Sequence, residues 1–428
     1  MAEPPQEGAP PTGSVAQRLA HWQRPGTLSL AAPPPLSLYV HLPWCLRKCP
    51  YCDFNSHAPA DGEEIPQQRY LDALRADLED ALPLVWGRRV VSVFLGGGTP
   101  SLFAPAAIGR LLDDVRARLP LAPGCEITLE ANPGTFERDR FRAFRDAGVT
   151  RLSIGVQSFD DGALAALGRV HDAAQAHAAA EEAARCFDTF NLDLMYALPG
   201  QDLAALDRDL DAALAHAPPH LSVYHLTLEP NTRFARRPPP GLPDEDTAAA
   251  MLDRLVERTA AGGLARYEVS AFARDGHRCT HNLNYWRFGD YLGIGAGAHG
   301  KLSFAHRVVR QVRWRDPQTY MAQALAGRAV SNEHAVARAA LPFEFMLNAL
   351  RLREGVSLAS FVERTGLPAS AIAAARAQGE RRGLLLPDPD RLATTPRGFD
   401  FLNDVLDLFL PEAGRGAEPA AASGRDGA

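Results

Sequence analysis

Cysteine is scarce in this chain, with six in 428 residues. A secreted disulfide framework is denser and more evenly spread, so that class is excluded and a reducing compartment is expected. No apolar run approaches the roughly 18 residues that cross a bilayer, which excludes a transmembrane segment. Prolines break up residues 1–34 and leave no apolar stretch of signal-peptide type. The expected location is therefore the cytoplasm. Basic excess is missing too: 45 Lys and Arg stand against 51 Asp and Glu, for a net charge of −6 and a pI near 6.1. That balance carries no footprint for nucleic acid. The most basic stretch, residues 306–315, alternates with Val308, Val309, Val312 and Trp314, and reads as a strand with a solvated face.

What is present is the composition of an ordinary globular protein, long enough for two domains or one large barrel with an appendage. Residues 1–34 and 411–428, rich in Pro, Ala and Gly, read as a disordered arm and tail. Between them short apolar runs at 36–42, 90–95, 126–131, 151–157, 190–197 and 221–228 have the character of buried strands. Helical patterns separate them, at 70–82, 105–118, 136–147, 173–185, 203–215 and 244–259. Thr135 and Gly148 suit the N- and C-terminal caps of the third of these.

Six successive βα units predict a parallel sheet, either doubly wound or curled. Polar residues gather at every strand end: His41, Gly96 to Thr99, Glu130 and Asn132, Gln157 and Ser158, Asp193, and Thr227 with Glu229. Barrel enzymes build sites from many strand ends, whereas a doubly wound sheet concentrates them at one switch point. The prediction is an α/β fold: a partial (β/α)6 TIM-like barrel over residues 35–265. A connecting segment follows over 266–340, with a further strand at 266–272. Helices at 343–352 and 358–365, a hairpin around 387–390 and a last helix at 398–410 make a C-terminal winged-helix-like domain over 341–410.

Three of the six cysteines share one loop, as Cys45-x3-Cys49-x2-Cys52, just beyond the first strand. Arg47, Lys48 and Asp53 interleave with them, so the loop is polar and apolar packing is a poor account of it. A structural zinc needs four ligands, and His57 leaves that reading open. A [4Fe–4S] cluster fits better, because short spacers let three sulfurs converge and leave a fourth iron free. Gly96-Gly97-Gly98 ends the second strand and implies close backbone approach, since three adjacent glycines lose much entropy on ordering. It lacks the Lys-Ser/Thr of a phosphate loop. Gly295-Ala-Gly297-Ala-His-Gly300 matches a dinucleotide fingerprint, yet no helix pattern follows, so a nicotinamide or flavin site is rejected. Glu130, Asp193 and Arg169 complete the polar set. Arg169 has the fork geometry that clamps a carboxylate.

Cys-x3-Cys-x2-Cys with an aromatic before the third Cys, followed by Gly-Gly-Gly-Thr-Pro, resembles the radical S-adenosylmethionine (SAM) superfamily. Tyr39-Val-His41-Leu-Pro-Trp44-Cys45, Cys52-Asp-Phe-Asn-Ser-His57, Gly155-Val-Gln157-Ser-Phe159 and Asp193-Leu-Met-Tyr196-Ala-Leu-Pro199-Gly200 are similar to the oxygen-independent coproporphyrinogen III oxidase group. The oxidase carries a further Cys where this chain has Phe54. His281-Asn282-Leu-Asn-Tyr285-Trp286 resembles the His-Asn-x-x-Tyr-Trp motif of the group's heme chaperone branch. The resemblance implies that Cys45, Cys49 and Cys52 bind the cluster. It implies SAM contacts from Tyr39, Tyr51, Gly97, Glu130, Gln157, Arg169 and Asp193, with Gly98 and Thr99 at the oxidase's second SAM. Heme would be held at His281 and passed to an acceptor protein, and flavodoxin or ferredoxin would be the electron donor. The rival expectation is an enzyme that oxidatively decarboxylates the porphyrinogen to protoporphyrinogen IX.

Overall fold

Each of the six apolar runs forms a strand: β1 (Leu36–Leu42), β2 (Val90–Gly97), β3 (Leu121–Ala131), β4 (Arg151–Gln157), β5 (Phe190–Tyr196) and β6 (His220–His225). The computed structural model describes residues 13–59, 64–134 and 140–411. Leu38, Val40, Val93, Leu95, Leu152, Ile154, Leu192 and Leu221 are fully buried, as expected of parallel strands covered on both faces. The six strands pair in chain order and all are parallel. A doubly wound sheet would reverse its order at a switch point. Without a reversal, right-handed crossovers put every helix on the same face and the sheet curls away from them.

The helices Gln67–Ala81, Pro105–Arg118, Ala173–Cys186, Leu203–Ala215 and Glu245–Ala261 fall on the predicted patterns. Only Phe141–Asp146 is described of the helix expected at 136–147, and its proposed cap Thr135 lies outside the described residues. Gly148 follows with φ +107° and ends that helix as predicted.

Residues 266–340 differ from expectation. They are not a connection but part of the same sheet. A hairpin of β7 (Ala265–Arg266) and β8 (Ala271–Ala273) stands where one strand was predicted, and β8 pairs antiparallel with β6. On the other side β9 (Asp290–Ile294) joins β1 in parallel. Antiparallel β10 (His299–Phe304), β11 (Arg307–Arg313) and β12 (Val330–Ala335) continue outward. The result is one twelve-stranded sheet whose ends, β12 and β7, are not paired: a partial barrel.

The basic stretch at 306–315 is β11, but its face is not solvated. Arg313 is 1% exposed and its guanidinium meets Asp77 at 3.1 Å. Asp77 lies on the apolar face of Gln67–Ala81, among Tyr70, Leu71, Leu74 and Leu78. It also accepts from the Tyr320 hydroxyl at 2.9 Å. A carboxylate on that face needs a cation, and β11 supplies it from 236 residues further along the chain. Lys301 and Asp290 make a second buried pair at 2.9 Å, joined by Arg88 at 2.9 Å.

The N-terminal arm is also more ordered than its composition suggested. Ser14 and Gln17 form a capping box on the helix Val15–Trp22. Arg18 and Trp22 both bond Glu333 on β12, at 3.0 and 3.1 Å. Leu28 and Leu30 are buried with the C-terminal residues Phe345, Phe361 and Leu367. That domain holds the helices Leu341–Ala349, Leu358–Thr365 and Ala373–Arg381, with β13 (Val356–Ser357) paired to β14 (Arg391–Leu392). The last predicted helix is broken at Phe401 into Pro396–Asp400 and Leu402–Asp407. Residues 1–12 and the predicted tail beyond Pro411 lie outside the described residues.

Replacing Arg313 by Met strands a buried carboxylate and is expected to cost about 3–5 kcal/mol. Combining it with Asp77→Leu should recover most of that loss. Thermal or urea unfolding checks both; a single variant within about 1 kcal/mol of wild type would contradict the pairing.

Candidate active site

β1 delivers the chain to Pro43, and the loop that follows closes on itself. Trp44 bridges His57, the Cys45 amide donates to the His57 carbonyl at 3.0 Å, and the His57 amide donates to the Pro43 carbonyl at 2.7 Å. Within the loop the Cys52 amide donates to the Cys49 carbonyl at 3.2 Å, so the two-residue spacer forms a turn. Trp44 anchors the base, buried edge-on against Tyr70 at 4.7 Å. Cys45, Cys49 and Cys52 are half-buried free thiols. All three line one cavity of about 410 Å³ at the C-terminal ends of the barrel strands. Burial pushes the Cys45 and Cys52 thiols up, and neighbouring loop cysteines add to it. Three thiols sharing one cavity are costly to ionise together without a cation between them. Among the described residues no three metal-ligating side chains converge tightly enough for a single ion. Three thiols on one cavity wall supply the ligand type of an iron–sulfur cluster.

The glycine run forms a seam with this loop. Gly97 has φ +115°, and a Cβ there would lie 2.4 Å from the His41 ring. One on Gly98 would lie 2.5 Å from the Trp44 carbonyl oxygen. Released from those clashes, the Gly98 amide donates to Leu42 at 2.9 Å and the Thr99 amide to Trp44 at 2.7 Å. The Thr99 hydroxyl donates to the Cys45 sulfur at 3.5 Å and accepts from Asn132 at 2.9 Å. The close approach expected of this run is thus to the cysteine loop itself.

Glu130 on β3 and Asp193 on β5, with β4 between them, line the same cavity. Glu130 accepts from the Gly97 amide at 3.0 Å. Burial, then the Asp193 charge, pushes its carboxyl up to about 7. Burial pushes Asp193 up to about 6, although Ser153 and Asn191 donate to it at 2.9 and 2.8 Å. Arg169 donates to Asn132 at 2.7 Å, to the Gly155 carbonyl at 2.8 Å and to the Cys49 sulfur at 3.5 Å. Its Nε is buried without a partner. A cationic N–H left over beside three thiols fits an anionic group such as the carboxylate of an amino acid.

Tyr51, Gly97, Gly98, Thr99, Glu130, Gln157, Arg169 and Asp193 share the cavity with the three cysteines. Gln157 holds φ +70° at a bulge between β4 and β5, which turns it into the mouth. Tyr39 lies in an adjoining cavity, its hydroxyl 2.9 Å from His41 Nδ1. Ser158 is drawn away, buried against Asp209 at 2.8 Å.

His281 is the one expected site residue that joins neither cavity. It sits on the helix Thr280–Trp286, stacked on Phe94 at 4.8 Å, with Nδ1 3.1 Å from Ser92 Oγ and 2% of the residue exposed. Burial lowers its pKa to about 3, so the ring is neutral, and Nε2 has no partner. Cys279, on the same segment, is buried beside Glu126 at 3.6 Å. Asn55, Ser153 and Asn191 are working parts that residue type alone left unmarked. The period-two alternation of Ser153 and Asn191 with apolar neighbours was the available signal.

Raised carboxyl pKa values mean that the fold binds more protons than the unfolded chain between about pH 4 and about pH 7. Their destabilisation is absent below that window and complete above it. Glu130→Gln should therefore stabilise the cofactor-free protein at pH 8, by up to about 3 kcal/mol, and change little at pH 4. Unfolding midpoints at the two pH values test this; a loss of stability at pH 8 would contradict it.

Family models match twice: the radical SAM superfamily over residues 39–213 and the HemN C-terminal domain over residues 336–401. The chain is 47% identical over 381 residues to the heme chaperone HemW of Escherichia coli, covering 89% of this chain and 99% of that protein. It is 44% identical over 385 residues to the heme chaperone HemW of Haemophilus influenzae, with 89% and 99% covered. Among solved structures, coproporphyrinogen III oxidase (HemN) from Escherichia coli, a radical SAM enzyme, superposes with a TM-score of 0.77 over 95% of each chain. At 23% identity that likeness concerns the fold. The predicted partial barrel is borne out, and with it a [4Fe–4S] cluster and SAM as cofactors. The chain belongs to the HemW family of the radical SAM superfamily.

Proposed function

We propose that this protein is a heme carrier built on a radical SAM scaffold, which binds heme and passes it to an acceptor protein. The observation that carries the reading is the 47% identity, over nearly the whole chain, to a protein named heme chaperone HemW. Cys45, Cys49 and Cys52 would hold the [4Fe–4S] cluster, because they are the three thiols on one cavity wall. When bound, such a cluster offers a free iron to SAM and an electron to its sulfonium.

The chain's own residues then have separable tasks. The unpartnered Nε of Arg169 would take the SAM carboxylate. Glu130, its carboxyl pushed up to about 7, would accept from a cationic or hydroxyl group, and Asp193 would do the same two strands away. Gln157 and Tyr51 would close the sides, and the backbone at Gly97 would admit an adenosyl group without a Cβ in the way. Tyr39 would act through His41, whose ring it fixes. Gly98 and Thr99 are occupied by the cysteine loop, so their part in a second SAM site is the weaker assignment. An external donor such as flavodoxin or ferredoxin would reduce the cluster. Among the described residues no helix is long and apolar enough to cross a membrane.

Phe54, at the place of the oxidase's extra cysteine, is 62% exposed on the rim of the cavity. An exposed aromatic there suits a flat apolar ligand better than a fourth sulfur would. Anaerobically reconstituted protein titrated with hemin should develop a saturable Soret band and deliver heme to an apo-hemoprotein. The same preparation given SAM, a reductant and coproporphyrinogen III should form no protoporphyrinogen IX. Steady turnover without stable heme binding would replace this reading with the decarboxylase.

A further inference from the structure

Resting on the heme-carrier reading, we infer that His299 is the axial heme ligand and that Arg315 takes a propionate, in the cavity beside the cysteine loop. That cavity measures about 390 Å³ and is lined by Tyr39, His41, Phe54, Tyr285, Tyr291, Gly97, Glu130, His299 and Arg315 among others. It adjoins the thiol-lined cavity and shares Phe54, Gly97 and Glu130 with it.

Three histidines stand near this space, and their surroundings separate them. His41 uses both ring nitrogens, Nδ1 with Tyr39 at 2.9 Å and Nε2 with the Asn55 carbonyl at 2.9 Å. His281 is sealed behind β2 by Phe94 and Tyr285. His299 is exposed and has no hydrogen-bond partner for either nitrogen among the described residues. Partial burial, with Arg310 and Arg315 nearby, lowers its pKa, so the ring is a neutral donor at physiological pH. His225 is exposed as well, but it lies at the end of β6 in the thiol-lined cavity, where the cluster and SAM belong.

The remaining walls suit a porphyrin. Tyr285 and Tyr291 pack at 4.4 Å and offer aromatic surface, and Phe54 is exposed opposite the protein interior. Arg315 is exposed and has no ion pair among the described residues. Imidazole is a common axial ligand, and a guanidinium fork suits a carboxylate.

The glycine motif that mimicked a dinucleotide fingerprint now has a purpose. Gly295 and Gly297 take φ +103° and +76°, and a Cβ on them would strike His41 and Asn55 at 2.4 Å each. This tight turn carries the chain from β9 into β10 and presents His299 beside the cluster loop. Asn55 fixes the arrangement: its Nδ2 donates to the Ala296 carbonyl at 2.9 Å and to the Arg315 carbonyl at 2.8 Å. One side chain of the cysteine loop thus holds the backbone next to both heme contacts. Binding at the cluster would be felt at the heme site through that asparagine.

The test titrates hemin into anaerobically reconstituted full-length wild type and the variants His299→Ala, Arg315→Gln, His281→Leu and His225→Ala. Iron, sulfide and SAM binding are measured on each. His299→Ala should weaken heme binding by about tenfold or more and shift the Soret band, with cluster content and SAM binding unchanged. Arg315→Gln should weaken binding without moving the band. His281→Leu and His225→Ala should leave both within about twofold. A wild-type spectrum from His299→Ala overturns the assignment, as does loss of the band in His281→Leu or His225→Ala with His299→Ala intact. Absence of any saturable band in wild type instead removes the heme-carrier reading on which the assignment rests.

Discussion

The backbone of Gly98 lies directly against the carbonyl of Trp44, and the site depends on that contact. No other residue type permits it, since a Cβ would come within 2.5 Å of the oxygen. The approach brings the end of β2 under the cysteine loop and lets Thr99 donate to the Cys45 sulfur. It also brings the Gly97 amide within reach of Glu130. A loop of three cysteines, tied at its base by Trp44 and His57, is thereby set at a fixed height over the barrel mouth rather than left to swing.

The strand order does the rest of the positioning. Because β1 to β6 pair in sequence, each strand ends one step further round the same rim. Glu130, Gln157 and Asp193 arrive there from β3, β4 and β5. Burial raises both carboxyls toward neutral pH, a shift that a polar, partly cationic ligand would reverse. Arg169 holds the other sign, with part of its guanidinium spent on Asn132 and Gly155 and one N–H kept in reserve.

Much of this was legible in the residues, for physical reasons that differ from element to element. Strands covered on both faces are nearly continuous apolar runs, so Leu36–Leu42 and Arg151–Gln157 were found to the residue. Helices with a clear polar face, such as Pro105–Arg118 and Leu203–Ala215, were found equally well. Val15–Trp22 was missed because its short capped turn is embedded in a proline-rich composition. Nothing in the sequence around Arg313 announces its partner, Asp77 on the buried face of Gln67–Ala81. His281 drew attention as part of a motif, yet its own helix buries it. The sequence around His299 shows only a glycine pattern; the turn that Gly295 and Gly297 make against His41 and Asn55 exists only in the fold.

The account's central claim is that three thiols leave one iron of a cubane free, and that this iron faces a cavity shaped for SAM. Electron paramagnetic resonance of the anaerobically reconstituted, reduced protein, recorded with and without SAM, addresses it directly. The account predicts the signal of a reduced [4Fe–4S] cluster whose g-values shift when SAM is added. An identical spectrum in both samples, or a preparation containing one zinc and no sulfide, would contradict it.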